Sequence, residues 1–314
     1  MQKRILITGG LGFVGTNLVP KLQQKGYQVR IFDNQTNVSG DLDLSGIELF
    51  EGDLLDAASI DRAIKGMDAV VHLAADTRVM DSIENPRFNF DVNVRGTFDL
   101  LSSMREHGVK RIISASTGGA ILGEVEPPVN EEMAANPLSP YGAAKLACEG
   151  YCSAFAASYG MNAISLRFSN IYGPYCRSKK SAVAAFLKDI VEKGEVTVYG
   201  DGTQTRDFLF SEDLTDGIVA AIESDCSGPY QLGSGQPTSL NELLAIIKRV
   251  CGQDRPFTIK HEAFRPGEVM STYCDISKAR RDLGFNPTTS LEQGVEKVWH
   301  YFQRQMEKQA ETTG

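Results

Sequence analysis

The N-terminal segment constrains the fold of this 314-residue chain more than any other feature. Residues 4–8 form a short apolar run that predicts a buried strand, and it leads directly into Gly9-Gly10-Leu11-Gly12-Phe13-Val14-Gly15. An apolar stretch with helical spacing follows, so the glycines lie where a strand turns tightly into a helix. Backbone N–H groups in such a turn, together with the helix N-terminus, can approach a pyrophosphate. The segment therefore predicts the first unit of a dinucleotide-binding sheet.

The second predicted strand indicates the kind of dinucleotide. Residues 28–32 have the pattern of a strand and end at Asp33, close to the interval at which an acid binds a ribose 2′-hydroxyl. A carboxylate at this position would repel a 2′-phosphate, which favours NAD over NADP. The neighbouring Arg30 and Asn34 keep NADP open as an alternative.

Strand and helix patterns alternate through the first half of the chain, which predicts an α/β fold. We expect a Rossmann-type, doubly wound parallel sheet with helices on both faces and ligands at the carboxyl ends of its strands. The predicted NAD-binding domain covers residues 1–168 and is completed by about residues 205–233. Residues 169–204 and 234–314 contain helices separated by Gly and Pro loops, and they predict a smaller mixed α/β substrate-binding lid. The last residues, 307–314, are expected to fray.

Composition narrows the classes of partner. The 32 basic and 40 acidic residues give a net charge of −8, which argues against a nucleic-acid partner. No apolar run is long enough to cross a bilayer, and the N-terminus enters the first strand without the pattern of a signal peptide. The six cysteines form no CxxC pair, which predicts free thiols in a reducing compartment and no metal site. We therefore expect a soluble, cytoplasmic protein that binds neither membrane nor metal.

A tyrosine and a lysine one helical turn apart are the strongest candidates for chemistry. Ser139 has the character of an N-cap and Pro140 of a first helical residue, so Tyr141 and Lys145 should share one helix face. A cation about 4 Å from the phenol contributes about 4 kcal/mol at an effective dielectric constant near 20. We therefore expect Lys145 to lower the pKa of Tyr141 from about 10 toward neutrality, which would make the phenol an acid/base catalyst.

With further motifs in the same order, the chain resembles the extended short-chain dehydrogenase/reductases that modify nucleotide sugars, with UDP-glucose 4-epimerases among them. The resemblance extends from Thr8–Gly15 to Asp275–Arg280. Between these two segments it rests on Gly52–Leu54, Val71–Ala75, Asn93–Thr97, Tyr141–Lys145, Leu166–Asn170, Tyr172–Pro174, Gly200–Asp207 and Arg265–Glu268. One departure is Leu122, where the family usually has Tyr, and it concerns the sugar pocket.

The resemblance implies a set of residues around NAD. This set is Gly9, Gly12, Phe13, Val14, Gly15, Asp33, Asn34, Asp53, Leu54, Leu73, Ala74, Ala75, Asn93, Tyr141, Lys145 and Phe168. Within it, Asp53 and Leu54 would border the adenine, Leu73 to Ala75 would line the cofactor channel, and Asn93 would steady the neighbouring segments. Asp53 could instead cap the helix that begins near Ala57, and Leu73 to Ala75 could be ordinary core. His72, at the end of a predicted buried strand, is expected to be a structural residue.

The resemblance also assigns catalytic roles. Thr117 would donate a hydrogen bond to the reacting sugar oxygen, with Ser116 as the second candidate. Tyr141 would exchange the proton of that oxygen, and Lys145 would bind the nicotinamide ribose. A Ser/Gly turn without chemistry is the alternative for the stretch around Thr117.

Substrate contacts follow from the same resemblance. Arg206 and Arg265 would grip a nucleotide diphosphate, Asn170 would bond the diphosphate or the sugar, and Glu268 would face the ribose. Each arginine could instead form a surface ion pair with a neighbouring acid, Asp207 or Glu268. Arg177 could meet the carboxylate of a uronic acid, or it could belong to a solvated basic loop with Lys179 and Lys180.

Gly118 and Gly119 discriminate among the reactions of this family. Related 4,6-dehydratases have an Asp-Glu pair at these positions and decarboxylases a Glu, because those reactions need extra acid/base groups. The glycines therefore favour epimerisation at C4 of a UDP-sugar, UDP-glucose/UDP-galactose first, with UDP-glucuronate or a UDP-N-acetylhexosamine as alternatives. A 4-ketosugar reductase or dehydratase of the same fold and a non-catalytic dinucleotide sensor are the rival functions. The resemblance also implies a homodimer, because relatives pair two long amphipathic helices, near residues 87–106 and 141–159 in this chain, across a dimer axis.

Overall fold

A parallel sheet of seven strands forms the centre of the protein. The structure is a computed structural model that describes residues 2–40, 42–176, 181–264 and 270–313. The strands are, in chain order, β1 (Arg4–Thr8), β2 (Gln28–Asp33), β3 (Glu48–Glu51), β4 (Ala69–His72), β5 (Arg111–Thr117), β6 (Asn162–Phe168), β7 (Asn170–Tyr172), β8 (Glu195–Tyr199), β9 (Thr205–Arg206), β10 (Phe208–Phe210), β11 (Gly228–Leu232), β12 (Thr238–Ser239) and β13 (Thr258–Glu262).

The strand order of the large sheet is β11-β6-β5-β4-β1-β2-β3, and all neighbouring strands are parallel. Its central strands are buried on both faces. Ile5, Leu6 and Ile7 of β1 are at most 1% exposed, and every residue of β4 is buried. Such unbroken apolar strands are expected where helices cover both faces of a parallel sheet. The predicted Rossmann-type α/β fold is confirmed.

Helices cover the sheet and build the rest of the chain. They are α1 (Phe13–Gln24), α2 (Ala57–Ile64), α3 (Val79–Glu84), α4 (Pro86–Phe90), α5 (Gly96–Glu106), α6 (Gly118–Leu122), α7 (Pro140–Tyr159), α8 (Ala182–Lys193), α9 (Ser211–Glu223), α10 (Leu240–Cys251), α11 (Ser277–Leu283) and α12 (Leu291–Thr313). A π-helical turn, Asp91–Arg95, joins α4 to α5.

The order of the strands creates one topological switch point. The chain runs outward from β1 through β2 to β3 and then returns to place β4 on the other side of β1. Ligands of such sheets bind beyond the carboxyl ends of the strands at this switch point. Three two-stranded sheets, β7/β10, β8/β13 and the antiparallel β9/β12, lie outside the large sheet. The division into two domains stays an interpretation of the sequence.

One helix prediction is refined and one was wrong. The stretch expected to be helical near residues 87–106 is helical from Pro86 to Glu106, with the π-helical turn between α4 and α5, and Asn85 caps its start by accepting a hydrogen bond from Phe88 N. The tail expected to fray from residue 307 is helical, since α12 continues to Thr313. Buried side chains at helical spacing, including Val295, Val298 and Phe302, anchor this helix, and good helix formers extend it.

Within the described ranges, no helix has the length and apolarity needed to cross a bilayer. The same parts of the chain contain no cluster of three His, Cys, Asp or Glu side chains that could hold a metal ion. All six cysteines are free thiols, and five of them are buried.

Candidate active site

The glycine-rich turn after β1 requires glycine for reasons of space. Gly9 has a positive φ of 69°, and a Cβ there would lie 2.7 Å from Ala74 N. A Cβ on Gly15, in the first turn of α1, would overlap the backbone of Gly10. The turn therefore lies directly against the segment that follows β4 and keeps its backbone open to a ligand at the N-terminus of α1, the arrangement expected for a pyrophosphate site.

Asp33 connects this turn to the end of β2. Its side chain is 8% exposed; Oδ2 accepts a hydrogen bond from Leu11 N at 2.9 Å and Oδ1 accepts one from Gln35 N at 2.8 Å. A carboxylate has about four acceptor sites, so both oxygens keep capacity for ribose hydroxyls. This chemistry fits the ribose of NAD.

Asn34, Asp53 and Leu54 form the part of the site where the adenine is predicted to bind. Asn34 Nδ2 donates to Asp53 Oδ2 at 2.8 Å, and Leu54 is buried next to Gly96. The alternative in which Asp53 caps α2 is wrong, because Asp56 is the N-cap and accepts from Ala58 N at 3.1 Å.

Asn93 holds the segment that follows β4. It is 2% exposed in the π-helical turn; its Oδ1 accepts from Asp76 N at 2.9 Å and its Nδ2 donates to Asp76 O at 2.8 Å. These two bonds fix the backbone just after Leu73, Ala74 and Ala75, the predicted lining of the cofactor channel. The prediction that Asn93 steadies this region agrees with the geometry.

His72 lies between two threonines and is structural. Its Nδ1 is 2.7 Å from Thr8 Oγ1, and its Nε2 is 3.0 Å from Thr97 Oγ1. Thr97 donates its own proton to Asn93 O at 2.5 Å, so His72 Nε2 must be the donor and Nδ1 the acceptor. Burial, and secondly the charge of Lys145, lowers the pKa of His72 to about 3, which keeps the ring neutral.

The N-terminus of α7 places Tyr141. Ser139 Oγ accepts from Gly142 N at 3.1 Å, as its N-cap character predicted, and Ser82 Oγ from α3 accepts from Tyr141 N at 3.2 Å. Gly142 has a steric role, because a Cβ on it would fall on the carbonyl oxygen of Ala120 in α6. The backbone at Tyr141 is thus held by Ser82 Oγ of α3 on one side and by the close approach of Gly142 to Ala120 O of α6 on the other.

The electrostatics of Tyr141 differ from the prediction. Burial raises the pKa of Tyr141 well above its usual value of 10, with Cys148 and Asp76 raising it further. Lys145 does not lower that pKa as expected; its own pKa is lowered by burial, and its Nζ donates to Ala115 O at 3.1 Å. Burial disfavours both charged forms, and the helical spacing alone could not show this. Ammonium has three donors, so Lys145 has capacity for ligand hydroxyls.

The polar residues next to Thr117 have separate functions. Ser116 Oγ donates to Glu149 Oε1 at 2.7 Å, and Arg167 donates to both oxygens of Glu149 at 2.9 and 2.8 Å. This ion pair is buried, with side-chain exposures of 6% and 10%, and it joins β5, β6 and α7. Ser116 is therefore engaged in holding α7 against the sheet, which leaves Thr117 as the better candidate for the catalytic hydroxyl.

A cavity of about 470 Å³ opens beside Thr117. Residues from both predicted domains line it, among them Thr117, Gly118, Phe168, Asn170, Arg206 and Gln231. Arg206 Nη1 donates to Thr205 O at 2.8 Å. Asp207 is not a surface residue: it is 1% exposed and accepts hydrogen bonds from the backbone N–H groups of Ser234, Gly235 and Cys274. The cavity thus joins a candidate hydroxyl to a candidate diphosphate-binding cation.

Three predicted substrate residues, Arg177, Arg265 and Glu268, lie outside the described residues. The roles assigned to the other predicted residues stay predictions; the structure brings Thr117, Asn170 and Arg206 to one cavity and the N-terminus of α7 to the end of β5.

A family model decides the class of protein. The model of the NAD dependent epimerase/dehydratase family matches residues 5–233. The chain belongs to the NAD-dependent epimerase/dehydratase family.

Individual members of the family are similar over nearly the full chain. A putative UDP-glucose 4-epimerase of Methanocaldococcus jannaschii is 36% identical, covering 94% of this chain and 96% of the relative. A UDP-glucuronate 4-epimerase of Thermodesulfobacterium geofontis is 31% identical, covering 96% and 97%. The crystal structure of Thermotoga maritima UDP-glucose 4-epimerase with UDP-glucose has a TM-score of 0.91 at 32% identity, covering 96% of this chain and 99% of that one. The predicted family, the NAD cofactor and an enzyme of the epimerase type are confirmed.

Several residues that support the site in this member of the NAD-dependent epimerase/dehydratase family were not predicted from the sequence. Ser82 accepts from Tyr141 N, although it lies far from Tyr141 in sequence. Glu149 lies four residues after Lys145 on the same helix, but its ion-pair partner is Arg167 in β6, which helical spacing could not predict.

The first prediction concerns Gly142. We expect Gly142→Ala to push α7 away from Ala120 and move Tyr141, and so to lower kcat/KM by about 100-fold, the effect of a small misplacement of a catalytic group. The measurement is steady-state epimerisation together with the unfolding temperature. Ala143→Gly, a one-methyl change at the exposed neighbouring residue, is the matched control and should stay within about twofold of the parent. Equal activity of the two variants would contradict the steric role.

The second prediction concerns stability against pH. The unfolded chain protonates His72 near pH 6.5, whereas the native protein excludes that proton down to about pH 3. Because the unfolded state then binds more protons, stability falls as the pH falls, by up to about 1.4 kcal/mol per pH unit from this group. We expect the free energy of unfolding, measured with urea between about pH 7 and about pH 5, to depend less steeply on pH in His72→Gln than in the parent. The difference in slope should correspond to about one proton. His300→Gln, at an exposed residue, should keep the parent's slope; unchanged slopes in both variants would refute the assignment.

Proposed function

We propose that this enzyme is a UDP-glucose 4-epimerase, which interconverts UDP-glucose and UDP-galactose. The observation that carries the proposal is the cavity at the end of β5, where Thr117 is followed by two glycines. Tyr141 and Lys145 do not line this cavity; they lie on the adjoining helix α7, from which Lys145 Nζ reaches Ala115 O of β5. The two relatives with UDP-glucose 4-epimerase names support the choice of sugar.

The roles of the side chains follow from their chemistry. The reaction is a transient oxidation of the sugar at C4 to a 4-keto sugar, followed by reduction on the opposite face. Bound NAD supplies the acceptor and the source of the hydride. Tyr141 removes the proton of the C4 hydroxyl and later returns it, while Thr117 donates a hydrogen bond to the same oxygen. Lys145 orients the cofactor ribose and places a positive charge near the phenolate.

The residues that would hold NAD fit that cofactor. Asp33 keeps acceptor sites for ribose hydroxyls, and the Gly9 turn leads into the N-terminus of α1, where backbone N–H groups can approach a pyrophosphate. Phe13, Val14 and Phe168 are the remaining proposed cofactor contacts. Arg206 and, outside the described residues, Arg265 are proposed to grip the nucleotide diphosphate. Asn170 is proposed to bond the diphosphate or the sugar, and Glu268, also outside the described residues, to face the ribose.

Space around Gly118 supports epimerisation over dehydration. A Cβ on Gly118 would lie 2.5 Å from Gln231 Oε1, so a carboxylate side chain at this position has no room without displacing Gln231. Dehydration needs an additional acid/base group beside the sugar. A net dehydrogenase or 4-ketosugar reductase would consume one cofactor per turnover, and this difference is measurable.

The third prediction tests the reaction. Purified enzyme incubated with UDP-glucose and no added cofactor should form UDP-galactose without a lasting change in absorbance at the band of reduced nicotinamide. Tyr141→Phe should lower kcat by about 10²- to 10⁴-fold, because the proton acceptor is lost. Tyr27→Phe removes a phenol that bonds Glu223 on the exterior, and it should keep parental activity. Stoichiometric cofactor consumption would replace the epimerase with a reductase or dehydrogenase.

The same assay distinguishes the sugars. UDP-glucuronate is the second candidate, because Arg177 could meet its carboxylate and one relative is a UDP-glucuronate 4-epimerase. We expect UDP-glucose to be the better substrate and Arg177→Ala to leave the order of preference unchanged. Preferred turnover of UDP-glucuronate that is lost in Arg177→Ala would reverse the proposal. A UDP-N-acetylhexosamine belongs in the same panel.

We also propose a homodimer that pairs α5 and α7 of two subunits. Both helices expose aromatic side chains: Phe98 is 41% exposed, Tyr151 39% and Tyr159 38%, and the rings of Phe98 and Tyr151 are 5.4 Å apart. An exposed aromatic patch on two adjacent helices is typical of an interaction surface. The location of the enzyme in the cytoplasm stays a proposal.

The fourth prediction tests the dimer. Light scattering at micromolar concentration should give twice the chain mass for the parent and the chain mass for the double variant Phe98→Ser/Tyr151→Ser, because the patch loses its apolar area. Ile259→Ser, at an exposed apolar residue of β13, is the control and should stay dimeric. A monomeric parent would refute the proposal.

A further inference from the structure

The side chain of Gln231 is the clearest buried polar group that the proposed mechanism does not use. Gln231 lies in β11, is 1% exposed and lines the cavity beside Thr117. Its backbone is fixed, since Gln231 N donates to Glu131 Oε1 at 2.7 Å. Its amide nitrogen Nε2 is buried and has no hydrogen-bond partner among the residues that the structure describes. A buried donor without an acceptor is unfavourable, and an oxygen of a ligand in the cavity would relieve it.

The position of the amide indicates which part of a ligand it meets. Gln231 Oε1 is 2.5 Å from the place where a Cβ on Gly118 would be, so the carboxamide occupies the space of the missing side chain at residue 118. Gly118 immediately follows Thr117, the proposed partner of the reacting oxygen. The amide therefore lies at the sugar end of the cavity.

The chemistry of the Gln231 carboxamide determines which group of a ligand it can bind. A carboxamide is neutral and donates through Nε2 without bringing a charge into the cavity. A sugar hydroxyl is a suitable acceptor, and a hydrogen bond to it needs no counter-charge. We propose that Gln231 is a substrate-specificity residue whose Nε2 donates a hydrogen bond to a hydroxyl oxygen of the hexose, and that Gly118 is required to leave space for its amide. This inference deepens the proposed function and rests on it.

A competing role for Gln231 is purely structural. Gln231 of β11 lies opposite Arg167 of β6 in the parallel pairing of these two strands. The Nη1 atom of Arg167 likewise has no hydrogen-bond partner among the described residues. If the amide served only to support this neighbour, its loss would lower stability without changing the discrimination between ligands. The two roles therefore differ in a binding measurement.

The test is calorimetric titration of the NAD-loaded enzyme with UDP-glucose and, separately, with UDP, which lacks the sugar. Gln231→Leu should weaken UDP-glucose binding by about five- to tenfold, the effect of one neutral hydrogen bond, and leave the Kd of UDP within about twofold. Gln231→Asn keeps the amide but withdraws it by one methylene, and it should give a smaller loss of the same sign. Unfolding temperatures show whether each variant is folded.

A double-mutant cycle tests the role of Gly118. Gly118→Ala should displace the amide and weaken UDP-glucose binding as Gln231→Leu does, and the double variant should bind no more weakly than Gln231→Leu alone. Equal changes in the two Kd values, or no change in either, would overturn the proposal. The titration reports binding whether or not the bound sugar is epimerised, so an enzyme that fails to epimerise but shows the selective loss would refute the proposed function and support this contact. If the parent binds UDP and UDP-glucose with equal Kd values, the contact is refuted and the proposed function is not.

Discussion

The site depends on the close backbone approach between the N-terminus of α7 and α6. Gly142 permits this approach, since any Cβ would collide with the carbonyl oxygen of Ala120. Ser139 and Ser82 satisfy the first N–H groups of α7 that have no helical partner, so the helix begins at one fixed place. Because Tyr141 is in this first turn, its backbone position is determined by the two serine hydroxyls and by the close approach of Gly142 to Ala120 O.

The middle of the same helix is held by an ion pair. Glu149 accepts two hydrogen bonds from Arg167 and one from Ser116, which ties α7 to two strands of the sheet. An ion pair with so little exposure stabilises the fold only weakly, because desolvation offsets most of its attraction, but breaking it would leave an unpaired buried charge. Its geometric consequence is larger: α7 cannot slide along β5 without losing these bonds, so Thr117 and Tyr141 stay in register.

The parts of the structure that were predicted from sequence are those that local spacing determines. The Gly9 turn and Asp33 follow from short-range pattern, as does the capped start of α7 at Ser139. The π-helical turn between α4 and α5 was missed because helical spacing does not reveal that Asn93 in this turn bonds Asp76, a residue 17 positions earlier in the chain. Gln231 was missed because its importance arises only when β11 joins the sheet beside β6 and faces Gly118.

The error over Tyr141 has a physical reason that also bears on the chemistry. Helical spacing places Lys145 near the phenol, but the same burial that would strengthen their attraction removes water from both groups, and desolvation dominates for each. Lys145 is held toward Ala115 O, so its charge is partly committed to the end of β5. A phenol with a raised pKa stays protonated near neutral pH, so it cannot act as a base until its phenolate is stabilised, and it is also a weaker acid than an ordinary tyrosine. To take the proton from the sugar hydroxyl, Tyr141 must first be a phenolate, and this ionised form requires additional stabilisation. Such stabilisation would come from hydrogen-bond donors and positive charge that gather around Tyr141 when the substrate and cofactor fill the site, so the chemistry would be coupled to binding.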